Sequence, residues 1–139
     1  MVEKTLSIIK PDGVRQRDAG KILARIEEAG FKILGLRMIH MTKAHAEGFY
    51  AVHRERAFFG SLTDFMSSGP CIVMVLEKES AIEDLRKLMG ATDPAKADEG
   101  TIRKEFASSV EANVIHGSDS TESAGIEIPY FFTSLQIQG

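Results

Sequence analysis

The run CIVMVL, Cys71 to Leu76, is six apolar residues in succession, with no polar break until EKE follows. A half-exposed strand would alternate, and a buried helix would need a longer run before its first charges. The segment CIVMVLEK therefore predicts a strand buried on both faces. The chain is organised around a sheet. With 139 residues, 43% of them hydrophobic, it is long enough for one well-buried core and too short for two ordinary ones. One domain over residues 1–139 is expected.

The remaining segments alternate between strand and helix character. TLSIIK is a short β-rich run stopped by the turn signal PDG, so a strand delivers Lys10 to its end. Asp18 is placed to cap a helix carrying Ile22, Leu23, Ile26 and Ala29, with Gly30 as its stop. FKILGLRMIHM reads as a central strand. Thr42 caps a helix with Ala46, Phe49, Tyr50 and His53 on one side, and FFGSLTDFM forms a second short helix. Ser80 and Glu83 have capping-box spacing ahead of Ile82, Leu85, Leu88 and Met89. Gly90 to Gly100 is a polar connection, TIRKEFA a short helix, NVIH a last short strand, and SAGIEIPYFF a helical segment limited by Pro129. This order fits a ferredoxin-like α/β arrangement (an α+β sandwich), a four-stranded antiparallel or mixed sheet covered by helices, mainly on one face. A doubly wound parallel sheet fits it as well. The order of elements does not separate the two.

Charge excludes some partners. A formal net charge of −3 provides no bulk attraction to nucleic acid or to an anionic membrane, so binding to either is not expected, and any phosphate site must be a local cluster. The single cysteine, Cys71, precludes an intramolecular disulfide and fits a reducing compartment, its thiol acting as a small buried hydrophobe. The segment MVEKTLSIIK carries no signal-peptide pattern, and no apolar run reaches membrane-spanning length. A soluble, cytoplasmic protein is expected.

Several catalytic signatures fail. GVRQRDAGKI places six residues between its glycines and Ile22 after the lysine, where a P-loop needs four and a Ser or Thr. Nucleophile-elbow, zinc-helix, paired-cysteine and dinucleotide fingerprints are missing too. Of the four histidines, His45 reads as solvated, and His40 and His53 as hydrogen-bonded structural residues. His116, in NVIHGSDS, differs in its company. Gly117 permits close backbone approach, Ser118 and Ser120 offer hydroxyls, and Asp119, Glu122 and Glu127 are possible orienting carboxylates. Composition alone leaves a turn residue and a reacting imidazole equally good readings.

NVIHGSD resembles the N-x-x-H-G-S-D signature of the nucleoside diphosphate kinase family. SIIKPDGV, FYAVHRERAFF, FMSSGP, GATDPA and GTIR resemble family segments in the family's order, from about Glu3 to Phe132. The resemblance implies the ferredoxin-like fold. It implies transfer of a γ-phosphoryl group from a nucleoside triphosphate, typically ATP, to a nucleoside diphosphate by a ping-pong cycle through a phosphohistidine. His116 matches the nucleophile, reacting at Nδ1; Glu127 matches the carboxylate on its other nitrogen, and Ser118 the hydroxyl that positions that carboxylate. Arg86, Thr92 and Arg103 match phosphate contacts. Lys10 and Asn113 match the groups on the sugar hydroxyl, Lys10 also reaching the phosphate, and Tyr50 a phenol beside the histidine. Phe58 and Val110, with Leu62 nearby, match the residues that sandwich the base. A stack of this kind recognises a face that every base has, so broad base tolerance follows. Mg²⁺ is the implied cofactor, carried on the nucleotide phosphates without protein metal ligands of its own.

The family assembles as homo-oligomers. The short tail TSLQIQG is similar to bacterial members and favours a tetramer over a hexamer. Three positions depart from the family pattern: Ala57 where proline is common, Asp93 where asparagine is common, and Gly125 and Pro129 bracketing Glu127 in a helix usually filled with better helix formers. Two other classes remain in view. A non-catalytic nucleotide-binding module would have no need of the histidine or the phosphate arginines, and a phosphohistidine carrier would have no use for the base sandwich.

Overall fold

A computed structural model describes residues 1–139. Its sheet has four strands, β1 (Val2–Ile9), β2 (Lys32–Ile39), β3 (Cys71–Glu79) and β4 (Ile115–Gly117), in the order β2-β3-β1-β4. Every neighbouring pair is antiparallel, which excludes the doubly wound parallel alternative. The helices are α1 (Pro11–Arg15), α2 (Ala19–Glu28), α3 (Lys43–Phe49), α4 (Phe59–Met66), α5 (Ala81–Met89), α6 (Ile102–Phe106) and α7 (Thr121–Phe131).

The apolar run of β3 is buried throughout, and its alternation divides the core in two. Ile72, Met74 and Leu76 pack with Ile22 and Ile26 of α2, Leu85 and Met89 of α5, and Ile102 of α6. Cys71, Val73 and Val75 pack with Ala46 of α3, Met66 of α4 and Phe131 of α7. Helices therefore cover both faces, and the expectation of one main face is corrected. A strand apolar on both sides needs a layer on each, because every large side chain withdrawn from water contributes about 1.5–3 kcal/mol.

Strand β1 begins at Val2, three residues before the apolar pattern places it. The register sets Glu3 opposite Lys78 and Lys4 opposite Glu77, so opposite charges across the pair extend the strand where hydrophobicity does not. In β2 the pairing shifts between Ile33 and Gly35. A Cβ on Gly35 would lie 3.0 Å from the Gln136 carbonyl oxygen and 3.1 Å from Phe132, so the bulge lets the C-terminal segment cross closely.

Local signals succeed at some helix ends and fail at others. The Thr42 and Thr101 side chains cap α3 and α6, and Gly30 ends α2 at φ +95°. Asp18 and Ser80 precede α2 and α5 without capping them. Ser80 is left-handed, and the Ile82 N–H donates instead to Glu3 Oε1 at 3.1 Å. PDG does not make a simple turn: Pro11 opens α1 from its first position, where a missing N–H costs nothing. Pro129 lies inside α7. Its ring removes the N–H that would bond the Gly125 carbonyl, yet the helix continues to Phe131, which is anchored in the core.

Candidate active site

Strand β4 is only three residues long and pairs at the sheet edge with β1, setting His116 opposite Ile8. The pairing holds the histidine's backbone, since its carbonyl also accepts from Ser7 Oγ at 2.8 Å. The ring is oriented from α7. His116 Nε2 lies 2.8 Å from Glu127 Oε1, and Ser118 Oγ donates to the same oxygen at 3.0 Å. Ser118 is itself tied to β1, accepting from the Leu6 N–H at 3.2 Å. A carboxylate on Nε2 requires the proton there and leaves a lone pair on Nδ1. Phe49 presses edge-on at 5.4 Å between ring centroids and Tyr50 lies perpendicular at 6.5 Å, so the imidazole has little freedom to turn.

Residues far apart in sequence line a cleft in front of this ring. Phe58, Leu62 and Val110 form an apolar slot in a space of about 430 Å³ that also meets Lys10, Asn113 and His116. An adjoining lobe of about 320 Å³ is lined by Arg86, Thr92 and Arg103 and shares His116 and Tyr50 with the slot. Of the residues that the family resemblance assigns to the site, only Ser118 and Glu127 do not line the cleft; they stand behind the ring. Phe58 and Val110 are half exposed, apolar surfaces ready to be covered by a flat ligand.

The polar wall is cationic, with Lys10 and Arg103 buried and Arg86 exposed. Lys10 is buried and donates to Asn113 Oδ1 at 2.7 Å, while the Asn113 amide donates to the Thr92 carbonyl at 3.2 Å. Burial first, and then the charge of Arg103, pulls the lysine from its ordinary 10.5 to about 8; Asp12 and Glu111 oppose the shift. Burial and the charge of Arg86 lower Arg103 to about 10. It bonds the Gly90 and Ile115 carbonyls at 3.1 and 2.7 Å, leaving its Nε without a partner. Cations depressed by burial and by one another favour an anion between them. Arg86 reaches Asp119 at 2.6 Å, with both side chains exposed, so this pair is weak and readily exchanged for a phosphate. The buried Tyr50 hydroxyl has no partner, and desolvation, with the Glu127 charge second, keeps it protonated well above its usual range.

Several readings of single residues change in three dimensions. His53 is not a hydrogen-bonded structural residue: it lines both lobes, stacked 6.4 Å from Tyr50. His45 is exposed, as expected, and its Nδ1 also accepts from the Thr42 N–H in a capping box. His40 is bonded to the Ser67 carbonyl oxygen, in keeping with a structural role. The space spared by Gly117 belongs to packing, because a Cβ there would lie 2.9 Å from Leu85 and Met89. Ser120 caps α7, and of the three carboxylates considered for His116 only Glu127 bonds it. Asp93 accepts from the Ala95 N–H at 3.0 Å and starts the short turn Pro94–Lys96, which gives its carboxylate a local task. Sequence reasoning passed over Phe49, Glu111 and Asp12. Phe49 lay within a helical apolar pattern, Glu111 among polar loop residues and Asp12 within a turn signal.

An oriented imidazole, converging cations and an apolar slot on an antiparallel α/β sheet define a site for a phosphorylated ligand that carries a flat ring. The comparisons with known proteins name that class. The nucleoside diphosphate kinase family pattern matches residues 3–137. A nucleoside diphosphate kinase of Nitratidesulfovibrio vulgaris (strain DP4) is 60% identical over 139 residues, the full length of both chains. The solved Aquifex aeolicus nucleoside diphosphate kinase is 46% identical, with a TM-score of 0.97 over 99% of each chain. The Halobacterium salinarum nucleoside diphosphate kinase, solved in complex with CDP, is 36% identical, with a TM-score of 0.96 over 100% of this chain and 93% of that one. This chain belongs to the nucleoside diphosphate kinase family. It is an enzyme that moves phosphoryl groups between nucleotides. No helix is long and apolar enough to cross a membrane.

Proposed function

We propose that the whole chain, residues 1–139, acts as one domain that transfers the γ-phosphoryl group of a nucleoside triphosphate, typically ATP, to a nucleoside diphosphate through a phosphohistidine on His116. The observation that carries this reading is the 2.8 Å contact between Nε2 and Glu127, which leaves Nδ1 as the nucleophilic nitrogen of a ring lining the cleft. The Nδ1 lone pair forms a bond to the γ-phosphorus as the bond to the bridging oxygen breaks, and the nucleoside diphosphate leaves with the electron pair. An incoming diphosphate reverses the step with its terminal oxygen. Glu127, held by Ser118, stabilises the positive charge that the ring gains while phosphorylated.

Charge spread over the phosphoryl oxygens is met by Lys10, Arg86 and Arg103, with Thr92 and the Tyr50 hydroxyl as further donors. Lys10 and Asn113 hold the sugar hydroxyl. The base lies between Phe58 and Val110, with Leu62 at its side. Asp119 is the one carboxylate of the phosphate lobe, and no cluster of three or more His, Cys, Asp or Glu side chains gathers anywhere in the chain. Mg²⁺ would be carried on the nucleotide phosphates and waters, without protein ligands of its own, and would partly neutralise the nucleotide's charge. We place the enzyme in the cytoplasm as a symmetric homo-oligomer, a tetramer ahead of a hexamer.

Incubation with γ-labelled ATP and Mg²⁺ is expected to label the protein on an acid-labile, base-stable residue, and added nucleoside diphosphate to remove the label as triphosphate. Label that no nucleoside diphosphate discharges would refute the kinase cycle. Phe58→Ala is expected to raise nucleotide KM about tenfold, with a smaller change in kcat and the same factor for purines and pyrimidines, because stacking contributes roughly 1–3 kcal/mol per base irrespective of its edge. Steady-state kinetics with a purine and a pyrimidine diphosphate measure it.

A further inference from the structure

Asp12 lies outside the set of residues that sequence pointed to, yet it is buried at 5% exposure between Lys10 and the approach to β4. Its Oδ2 accepts from the Val114 N–H at 3.1 Å, across 102 positions of sequence. Val114 has φ +63°, an unfavourable conformation for a β-branched side chain. The Ile115 N–H bonds the Asn113 carbonyl at 2.8 Å, closing a three-residue turn around Val114 in its rare, strained sense. The Lys10 N–H bonds the Val114 carbonyl at 2.8 Å, and the Lys10 ammonium bonds Asn113 at 2.7 Å. Gly13 completes the fit: a Cβ there would lie 3.0 Å from Ile9 and 3.4 Å from the Val114 carbonyl oxygen. The segment PDG is thus built around the turn that separates Asn113 from His116.

A backbone N–H needs only a neutral acceptor, whereas the second oxygen of Asp12, Oδ1, is buried with no partner. Burial pushes the Asp12 carboxyl above its ordinary value, and the charge of Lys10 is the first influence to oppose that shift. Lys10 is supported in return. It is faced by Arg103 from α6, by Glu111 from the loop before β4 and by Asp12 from α1, with His53 and His116 across the cleft.

We propose that Asp12 is a positioning residue for phosphoryl transfer: it clamps the strained Val114 turn that sets Asn113 and His116 and, through Asn113, the Lys10 ammonium. The proposal rests on the site reading above. Asp12→Asn keeps an acceptor for Val114 and loses the charge, whereas Asp12→Ala loses both. In steady-state transfer from ATP to UDP, Asp12→Ala is expected to lower kcat by roughly 10- to 100-fold, because a displacement of up to about an ångström costs that much at a reacting centre. Asp12→Asn should retain more of the rate at the pH optimum, with its alkaline limb shifted to lower pH as Lys10 gives up its proton earlier. Thermal unfolding is followed for both variants. Lowered Tm in either variant, with wild-type kcat and an unmoved alkaline limb, would reduce Asp12 to a structural role and overturn the proposal. An Asp12→Asn rate as low as that of Asp12→Ala, with no shift of the limb, would overturn it also. Should Asp12→Ala not fold, the limb of Asp12→Asn decides. Transfer from ATP to UDP does not depend on which residue is labelled, so a wild-type enzyme unlabelled at His116 would sink the phosphohistidine reading and leave these rates to judge Asp12.

Discussion

His116→Gln is expected to abolish labelling by ATP and to lower nucleotide phosphoryl transfer by on the order of 10⁴-fold or more, as loss of a covalent nucleophile does. Glutamine is the informative substitution, because its amide can still donate to Glu127 Oε1, the oxygen that Nε2 of the histidine meets at 2.8 Å. The fold therefore has no reason to fail. β4 is held by backbone pairing with β1 and by the Ser7 hydroxyl on the His116 carbonyl, and the neighbouring Ile115 is fully buried. What the variant loses is the Nδ1 lone pair. Direct transfer between two bound nucleotides would escape the loss, so a His116→Gln enzyme within tenfold of wild type would overturn the covalent route. Single-turnover labelling and steady-state transfer measure the two halves of the prediction.

The second large effect belongs to Lys10. Lys10→Met keeps the length of the side chain and removes its charge, and kcat/KM is expected to fall about 10²- to 10³-fold, the usual cost of losing one preorganised, buried charge-stabilising donor. In the wild type, activity should decline as pH rises past about 8, where the buried lysine loses its proton. Stability should move the other way. The folded pKa of about 8 lies below the ordinary 10.5, so the unfolded chain binds the extra proton between these values, and folding stability rises with pH across that window. The cost of burying the cation is present in full below the folded pKa and is relieved as pH climbs through it. Measured against Lys10→Met, which has no such group, the wild type should gain stability between pH 8 and 10.5 while losing activity. Parallel denaturation and rate profiles test this, and a wild-type alkaline limb at the ordinary lysine pKa would refute it.

Much of the candidate site was legible through the family resemblance, which short runs carry; residue types alone left His116 open between a turn residue and a nucleophile. HGSD places a histidine beside a hydroxyl, and GTIR and GATDPA hold cationic and hydroxyl groups on separate segments; the structure brings Thr92 and Arg103 into one lobe with His116. Gly125 and Pro129, which bracket Glu127, do not keep it from its partners. The carboxylate reaches both His116 and Ser118, and α7 runs through the proline. Helix-breaking tendency is a local preference of a few kcal/mol, and burial of Ala124 and Phe131 is of the same order and offsets it. His53 and Phe49 were passed over because helical periodicity reports which side of a helix a residue occupies and not what lies across from it.

The sequence by itself determined what depends on neighbours along the chain. Strand and helix character, the β3 run buried on both faces and the Thr42 cap all follow from spacings of a few residues. Only the tertiary structure decided what depends on segments meeting from far apart. These features are the all-antiparallel order, the helices on both faces, the Glu3 carboxylate standing in for a Ser80 cap, Gly117 yielding its space to α5, and Asp12 on the left-handed Val114. The physical reason is one of reach. Propensity and periodicity act over one or two turns of chain, whereas a buried hydrogen bond such as Asp12 to Val114 spans 102 positions and forms only once sheet and helices have enclosed it.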